Sequence, residues 1–449
     1  MNSFLTKLDN YFGVYEQNSN FKTEILAGIT TFLSMSYVLF VIPATLSETG
    51  MDLNAVFVAT ALSSVISTLI MGLYAKYPIG LAPGMGMQAF FTYTVVLTMG
   101  YSWEQALFGI FCSGILFIIL SISGIRKAII NIIPNGLKHS VTIGIGLFIA
   151  FIGMQNVGII VGNESTLVQL GNLASPVALT AIIGTVITFI LIMKNKSSAI
   201  FLGMLITIGI CIVFQLAGAD VGMTMPTGII SAPPSIEPVA GKLFMGGDFS
   251  QIMVLLTDFK FWIVVLSILF VDFFDTTGTI IAVGGEAGIV TAEGEIKNSE
   301  KILLADSLAT TVGSILGVSS VTSYVESMTG IKIGGRTGLT AIVIALCFLL
   351  AIFFSPILSI VTASVTAPAL ISVGALMAMN HQKIDYSDFT EAATSFMTII
   401  FMVLTYSISS GLAIGFVTYT ILKLGAGKAK EIHPLIYGLT VIFLIYLFL

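Results

Sequence analysis

Three carboxylates lie in segments that are otherwise apolar. Asp272 and Asp275 fall within LFVDFFDTTGT (residues 269–279), and Glu326 falls within TSYVES (residues 322–327). A carboxylate in an apolar setting is costly, so it usually faces a cavity and has a function. It accepts hydrogen bonds from ring N–H and amino groups, and it can bind and release a proton. These three side chains are therefore our candidates for ligand binding and proton transfer.

The spacing of Asp272 and Asp275 adds a constraint. Residues three apart on a helix lie on one face, and two neighbouring carboxylates are not both ionised cheaply in a low dielectric. We expect at least one of the two to carry a proton, which suits a proton-coupled carrier. For Asp272 the alternative is a structural role, as a cap or as the partner of a neighbouring polar group. The sequence does not choose between Asp275, Asp272 and Glu326 as the proton-coupling group.

Composition indicates the surroundings of these residues. The chain has 449 residues, of which 56% are hydrophobic and 9% charged, and its mean hydropathy is +1.03. Soluble domains carry roughly 25% charged residues, so the chain is predicted to be an all-α polytopic protein of the lipid bilayer. A net charge of -5 gives no reason to expect a nucleic-acid partner. The three cysteines are far apart, so we expect neither a disulfide nor a bound metal.

Apolar runs long enough to form membrane spans occur in two sets. A span needs about 20 apolar residues. The fourteen candidates lie near 24–46, 54–74, 83–99, 103–123, 137–158, 176–193, 198–218, 261–285, 299–317, 322–333, 336–354, 364–380, 390–407 and 409–424. Residues 434–449 form either a short fifteenth span or a helix in the membrane interface.

Basic residues support this arrangement. If the N-terminus is cytoplasmic and the spans alternate in direction, 16 of the 18 Lys and Arg residues fall on the cytoplasmic side. The exceptions are Lys242 and Lys260, in or beside the long connection near 219–258. The positive-inside rule therefore favours fourteen crossings.

The two sets resemble each other. Residues 59–68 and 305–314 place small and apolar side chains in step, and seven spans per set require the second set to be inverted. Each set also interrupts its third span, at 77–91 with two prolines and three glycines, and at 317–327 with β-branched and hydroxyl residues. Paired breaks of this kind are typical of the substrate site in transporters built from inverted repeats. We expect extended backbone followed by a half-helix at each break.

Three motifs resemble a known family. Residues 82–91 (APGMGMQAFF), 273–279 (FFDTTGT), and 322–327 followed by GGRTGLT at 334–340 are together similar to the nucleobase–cation symporter-2 family. More narrowly, they resemble its azaguanine-resistance branch of adenine/guanine/hypoxanthine permeases. The resemblance covers about residue 10 to about residue 440.

This resemblance implies the uracil-permease-like fold, with fourteen spans in a 7+7 inverted repeat. A core (transport) domain would comprise 21–123 and 259–354, and a gate domain 124–218 and 355–449. Residues 1–20 would form a cytoplasmic N-terminus, and 219–258 would connect the repeats. The resemblance further implies a homodimer formed through the gate domain.

The family's site residues carry over position by position. Asp275 matches the acidic residue of span 8, with Asp272 as the rival match, and Glu326 matches the span 10 glutamate. Gln88 matches the base-contacting position of span 3, where this branch is expected to have Asn. Thr279 stands where uracil permeases carry a His, which favours purines. Their neighbours Met87 and Val325 complete the expected substrate site.

The resulting prediction is a proton-coupled purine nucleobase importer of the inner (cytoplasmic) membrane, working by alternating access. It would need no cofactor beyond the co-transported proton. Alternatives on the same fold are a uracil or xanthine carrier and an anion carrier of the sulfate or bicarbonate kind, although Asp275 and Glu326 would repel an anion. An integral membrane enzyme would need a nucleophile or metal cluster that the sequence lacks. A channel would more naturally be built from short repeats around a pore.

Overall fold

Helices make up most of the structure. The computed structural model describes residues 3–123, 132–196, 198–226, 228–287 and 299–448. The α-helices in these ranges are α1 (Ser3–Phe12), α2 (Phe21–Met35), α3 (Val38–Ser47), α4 (Leu53–Ile70), α5 (Met85–Ala89), α6 (Trp103–Ile122), α7 (Asn135–Asn156), α8 (Pro176–Met193), α9 (Ala199–Leu216), α10 (Phe249–Thr257), α11 (Phe259–Ala287), α12 (Ser299–Leu316), α13 (Ser327–Ile333), α14 (Gly338–Ala351), α15 (Ala363–Ala378), α16 (Phe389–Leu404), α17 (Ile408–Gly425) and α18 (Pro434–Phe448). Wider π-helical turns continue α4 over Met71–Ala75 and α5 over Phe90–Thr98.

Every predicted span coincides with a helical element, and the all-α polytopic prediction is confirmed. Within the described residues, nine helices are long and apolar enough to cross a membrane, or ten if the bent pair Ser250–Thr257 and Phe259–Phe273 is one span. The count of fourteen crossings therefore stays a prediction. The C-terminal stretch forms α18, which packs along α17 and is shorter than a typical span. Arg126, Lys127 and Lys297, which contributed to the predicted orientation, lie outside the described residues.

Polar caps fix where several helices begin. Asp52 precedes α4 and accepts a hydrogen bond from the Ala55 amide at 2.8 Å. Ser102 and Gln105 form a reciprocal capping box at the start of α6. Such caps satisfy amide groups that have no partner within the helix.

The helices pack in two groups. The first group is formed by helices from the N-terminal part of each predicted repeat. In it, α2 and α4 pack against α14, and α6 packs against α11 and α12. The other group contains α7, α8 and α9, which pack against α15, and α16, which packs against α7 and α17. This grouping follows the predicted core and gate ranges, and the division into two domains stays a prediction.

Short strands occur at both predicted breaks. Strand β1 (Leu81–Pro83) pairs antiparallel with β4 (Val321–Ser323), with Ala82 opposite Thr322. The other strands, β2 (Ile160–Asn163) and β3 (Leu167–Leu170), form a separate hairpin. Helix α5 follows β1 and α13 follows β4, as the sequence suggested. Whether the two segments interrupt membrane spans stays a prediction.

Helix α13 lies unusually close to α2. A Cβ on Gly330 would approach the Ala27 carbonyl oxygen within 2.5 Å and would also collide with the Thr31 hydroxyl. Small residues allow backbones to approach in this way in membrane proteins. The close approach fixes the helix that follows Glu326 against the first span.

Candidate functional site

A cavity lies beside the paired strands β1 and β4. It opens to the outside, and the empty space in it is about 470 Å³ when the open mouth is included. Its lining residues are Tyr37, Gly84, Met85, Gly86, Asp275, Thr279, Thr322, Ser323, Tyr324, Val325, Glu326, Val373 and Met377. Two of these side chains are carboxylates, and none is a lysine or arginine. The cavity can therefore offer hydrogen-bond acceptors to a ligand of modest size.

The two strands are held together by more than their own pairing. The Gly84 amide donates to the Ser320 carbonyl at 2.9 Å, and the Tyr324 amide donates to the Gly80 carbonyl at 3.0 Å. The Tyr324 hydroxyl donates to the Pro83 carbonyl at 2.5 Å. These bonds satisfy backbone groups that extended segments leave unpaired inside a membrane protein. They also give the cavity wall a fixed shape.

Asp275 projects from α11 toward this wall. A Cβ built on Gly84 would lie 3.7 Å from Asp275 Oδ2, so glycine leaves the space in front of the carboxylate open. Within the described part of the chain, no group donates a hydrogen bond to the Asp275 carboxylate. Buried acceptors generally have partners, so an open, unpaired carboxylate at a cavity wall suits a ligand that brings its own N–H donors.

Glu326 faces the cavity from the opposite strand segment, immediately before α13. The Tyr37 hydroxyl donates to Glu326 Oε1 at 2.7 Å. Val325 beside it has 41% of its surface exposed, and Thr279 lines the cavity from α11. The structure thus brings together four of the six expected substrate-binding residues: Asp275, Glu326, Val325 and Thr279.

Gln88 and Met87 do not line the cavity. Met87 is buried, and the Gln88 amide nitrogen donates to the Val41 and Ile42 carbonyls of α3 at 3.2 and 3.3 Å. Gln88 instead borders a smaller pocket, which it shares with Thr45 of α3, Tyr93 and residues of α7 and α15. In this arrangement its amide joins the third predicted span to the first.

Asp272 lies behind the strand pair rather than in the cavity. It is fully buried and accepts a hydrogen bond from the Thr310 hydroxyl at 2.9 Å. Thr310 also contacts the Val321 carbonyl at 3.1 Å. Asp272 is therefore connected to β4 through Thr310, and its assignment as a proton carrier stays a prediction.

A further buried carboxylate, Asp306 on α12, was missed by sequence reasoning. It accepts hydrogen bonds from the Thr276 hydroxyl at 2.6 Å, the Ser323 amide at 3.1 Å and the Ser323 hydroxyl at 3.2 Å. The sequence did contain a sign of it: in the alignment of residues 59–68 with 305–314, the acidic Asp306 stands opposite Thr60. Asp306 links the two elements that carry Asp275 and Glu326.

A second missed carboxylate, Glu24 on α2, stabilises the end of this assembly away from the cavity. It is fully buried and accepts hydrogen bonds from the backbone amides of Arg336, Thr337 and Thr340 at 3.0 to 3.3 Å. The Thr337 and Thr340 hydroxyls donate to it at 2.9 and 2.6 Å. A carboxylate is well placed at the start of a helix, here α14.

A polytopic helical fold in which two short paired strands lie beside an acidic cavity is typical of secondary transporters, and the comparisons with known proteins agree. Residues 22–414 match the permease family of xanthine/uracil permeases. The chain belongs to this family, and it is a permease rather than an enzyme.

Individual relatives extend over almost the whole chain. The guanine/hypoxanthine permease PbuG of Bacillus subtilis is 46% identical and the alignment covers 98% of this chain and 99% of PbuG. The adenine permease AdeP of Escherichia coli is 38% identical, with 98% and 95% covered. The transmembrane domain of the cyanobacterial bicarbonate transporter BicA has a similar fold, with a TM-score of 0.62, 16% identity, and coverage of 88% of this chain and 97% of that one.

Proposed function

We propose that this permease imports purine nucleobases together with protons across the cytoplasmic membrane. The observation that carries the proposal is that Asp275 and Glu326 line one open cavity beside two paired backbone strands. Purines present ring N–H and amino donors on the edge of a planar ring, and carboxylates are strong acceptors for such groups. The names of PbuG and AdeP point to the same class of substrate.

Proton coupling follows from the same pair of residues. A carboxylate that binds a ligand N–H and can also take up a proton changes its charge between the two states. Bringing a proton and a neutral base together lowers the cost of holding two carboxylates in a low-dielectric site. Asp275 is the stronger candidate for this change, since no described protein group holds its carboxylate in one state.

Alternating access is supported by a closure on one side of the cavity. The Tyr93 hydroxyl donates to Glu48 Oε1 at 2.9 Å, and the Asn156 amide donates to the Tyr93 hydroxyl at 3.2 Å. The Thr94 hydroxyl donates to the Tyr406 carbonyl at 2.9 Å. These bonds join the proposed core, which carries Glu48, Tyr93 and Thr94, to the proposed gate.

With the N-terminus in the cytoplasm, Glu48 would lie at the outer end of the first span, so these bonds would close the outer side of the cavity. Met377, which lines the cavity from α15, would lie near the cytoplasmic end of that helix. The state proposed on these grounds is an inward-facing one. Homodimer formation through the gate stays a prediction.

An anion carrier is the competing function on this fold, because BicA is a bicarbonate transporter. The cavity argues against it here. Its two carboxylates would repel an anion, and among the residues that the structure describes no lysine or arginine lines it to compensate.

The test is uptake of radiolabelled hypoxanthine, guanine, adenine, uracil and bicarbonate by cells that lack their own base carriers. Wild type is compared with Asp275→Asn, Glu326→Gln and the control Glu237→Gln, whose side chain is exposed in the long connection. We expect purine uptake that a protonophore abolishes, that Asp275→Asn and Glu326→Gln lose, and that the control keeps. Uptake of bicarbonate without purines, or purine uptake unaffected by the two site substitutions, would refute the proposal.

A further inference from the structure

Tyr37 occupies the interruption between the two helices of the first span. Helix α2 ends at Met35 and α3 begins at Val38, so Tyr37 stands at the junction. Its side chain is 1% exposed, yet it forms part of the cavity wall. Tight packing leaves the ring little freedom to rotate. The hydroxyl is consequently held at one point of the cavity.

That point is the Glu326 carboxylate. The distance of 2.7 Å from the Tyr37 hydroxyl to Oε1 is at the short end for hydrogen bonds and suits a charged acceptor. Within the described residues, Tyr37 is the one side chain with a hydrogen bond to a Glu326 side-chain oxygen. An ionised carboxylate has about four acceptor positions on its two oxygens, so Oε2 stays available to a ligand.

A second contact fixes the backbone that carries Glu326 to the same span. The Thr329 hydroxyl donates to the Glu326 carbonyl at 2.7 Å and lies 3.2 Å from the Ser34 hydroxyl of α2. Thus α2 and Tyr37 hold both the main chain and the side chain of Glu326.

From this geometry we infer that Tyr37 is a positioning residue that keeps Glu326 directed into the cavity whether or not Glu326 carries a proton. A tyrosine hydroxyl donates to a carboxylate and accepts from a carboxylic acid, so the same contact serves both forms. A phenylalanine would serve neither. The inference rests on the proposed function. It adds that a residue of span 1, acting through Glu326, affects both the affinity for substrate and the dependence of transport on protons.

The titratable groups around Glu326 come from three elements: Tyr37 from the first span, Tyr324 from its own segment, and Asp275 from α11. The Tyr324 hydroxyl is bonded to the Pro83 carbonyl. Within the described residues, no hydrogen bond joins Asp275 to Glu326. Tyr37 is therefore the group whose removal changes how Glu326 is held.

The experiment measures guanine binding to purified protein and guanine uptake as a function of pH. The variants are Tyr37→Phe, Glu326→Gln and the double variant, with Tyr101→Phe as the matched control. Tyr101 also donates to a carboxylate, Asp258, at 2.6 Å, and neither residue lines the cavity. Elution of each variant as a single monodisperse peak serves as the check that it is folded.

We expect Tyr37→Phe to weaken guanine binding about tenfold in the wild-type background and less than about twofold in the Glu326→Gln background, as residues acting through one group do. The pH range over which uptake depends on protons should also move to higher pH. The reason is that the ionised form of Glu326 loses the hydrogen bond from the Tyr37 hydroxyl and is less stable without it. Tyr101→Phe should change neither quantity. Equal losses in both backgrounds, or an unshifted pH profile, would overturn the inference alone. Failure of the wild type to bind any purine would instead remove the proposed function and this inference with it.

Discussion

Glu24 provides a test of how the first span is fixed to α14. Its Oε1 accepts the Arg336 amide, and its Oε2 accepts the amides and hydroxyls of Thr337 and Thr340. In Glu24→Gln one oxygen becomes an NH₂ group. If the new NH₂ group faces the backbone amide of Arg336, two hydrogen-bond donors point at each other, and that buried amide loses its acceptor.

The magnitude follows from these contacts. A buried donor left without a partner costs about 1–3 kcal/mol, and hydrogen bonds to a neutral acceptor are weaker by about 1 kcal/mol each than those to a charged one. A neutral amide is cheaper to bury than a carboxylate, which offsets part of the loss. We expect a net destabilisation of about 2 kcal/mol, or a fall of about 2–4 °C in apparent melting temperature for a chain of this size.

The assay is the fraction of protein that stays monodisperse in detergent after heating through a series of temperatures. Glu237→Gln is the control, since it makes the same chemical change on an exposed side chain. Glu24→Ala, which removes the carboxylate that all five donors share, should be less stable than Glu24→Gln. A Glu24→Gln protein that loses stability no more than the control would refute this reading of the carboxylate.

Three further predictions concern other parts of the molecule. Tyr93→Phe removes the hydroxyl that joins Glu48 to Asn156 on the proposed outer side of the cavity. A membrane-impermeant thiol reagent should therefore modify a Thr45→Cys protein severalfold faster in the Tyr93→Phe background than with Tyr93 intact. Asp306→Asn exchanges a carboxylate oxygen for a donor beside Ser323, and we expect guanine KM to rise about tenfold while the protein still folds. Gly330→Ala places a methyl group where α2 already lies, and we expect about 1–3 kcal/mol of destabilisation, seen as a lower yield of monodisperse protein.

The sequence predicted the parts of the site that stand out from their surroundings. Asp275 and Glu326 were identifiable because apolar residues surround them, and the breaks at 77–91 and 317–327 because Pro, Gly and β-branched residues disfavour helix. Glu24 was overlooked because an acid in the first turn of a helix, next to Lys22, is also expected at an ordinary exposed helix start.

Other features depend on side-chain direction, which composition does not reveal. A tyrosine among apolar residues, such as Tyr37, is indistinguishable from a packing residue until its hydroxyl is placed. The same limit explains Gln88, which was assigned to the ligand from its position in the motif, whereas the structure turns its amide toward α3. Asp306 required the three-dimensional pairing of α12 with β4.

The central claim is that this permease uses a proton gradient to accumulate a purine through the cavity formed by Asp275 and Glu326. The most direct measurement is uptake of labelled hypoxanthine into proteoliposomes containing the purified protein, with the interior made alkaline relative to the medium. The account predicts transient accumulation above the outside concentration, abolished by a protonophore and absent with Asp275→Asn. Uptake that only equilibrates, regardless of the pH gradient, would contradict it.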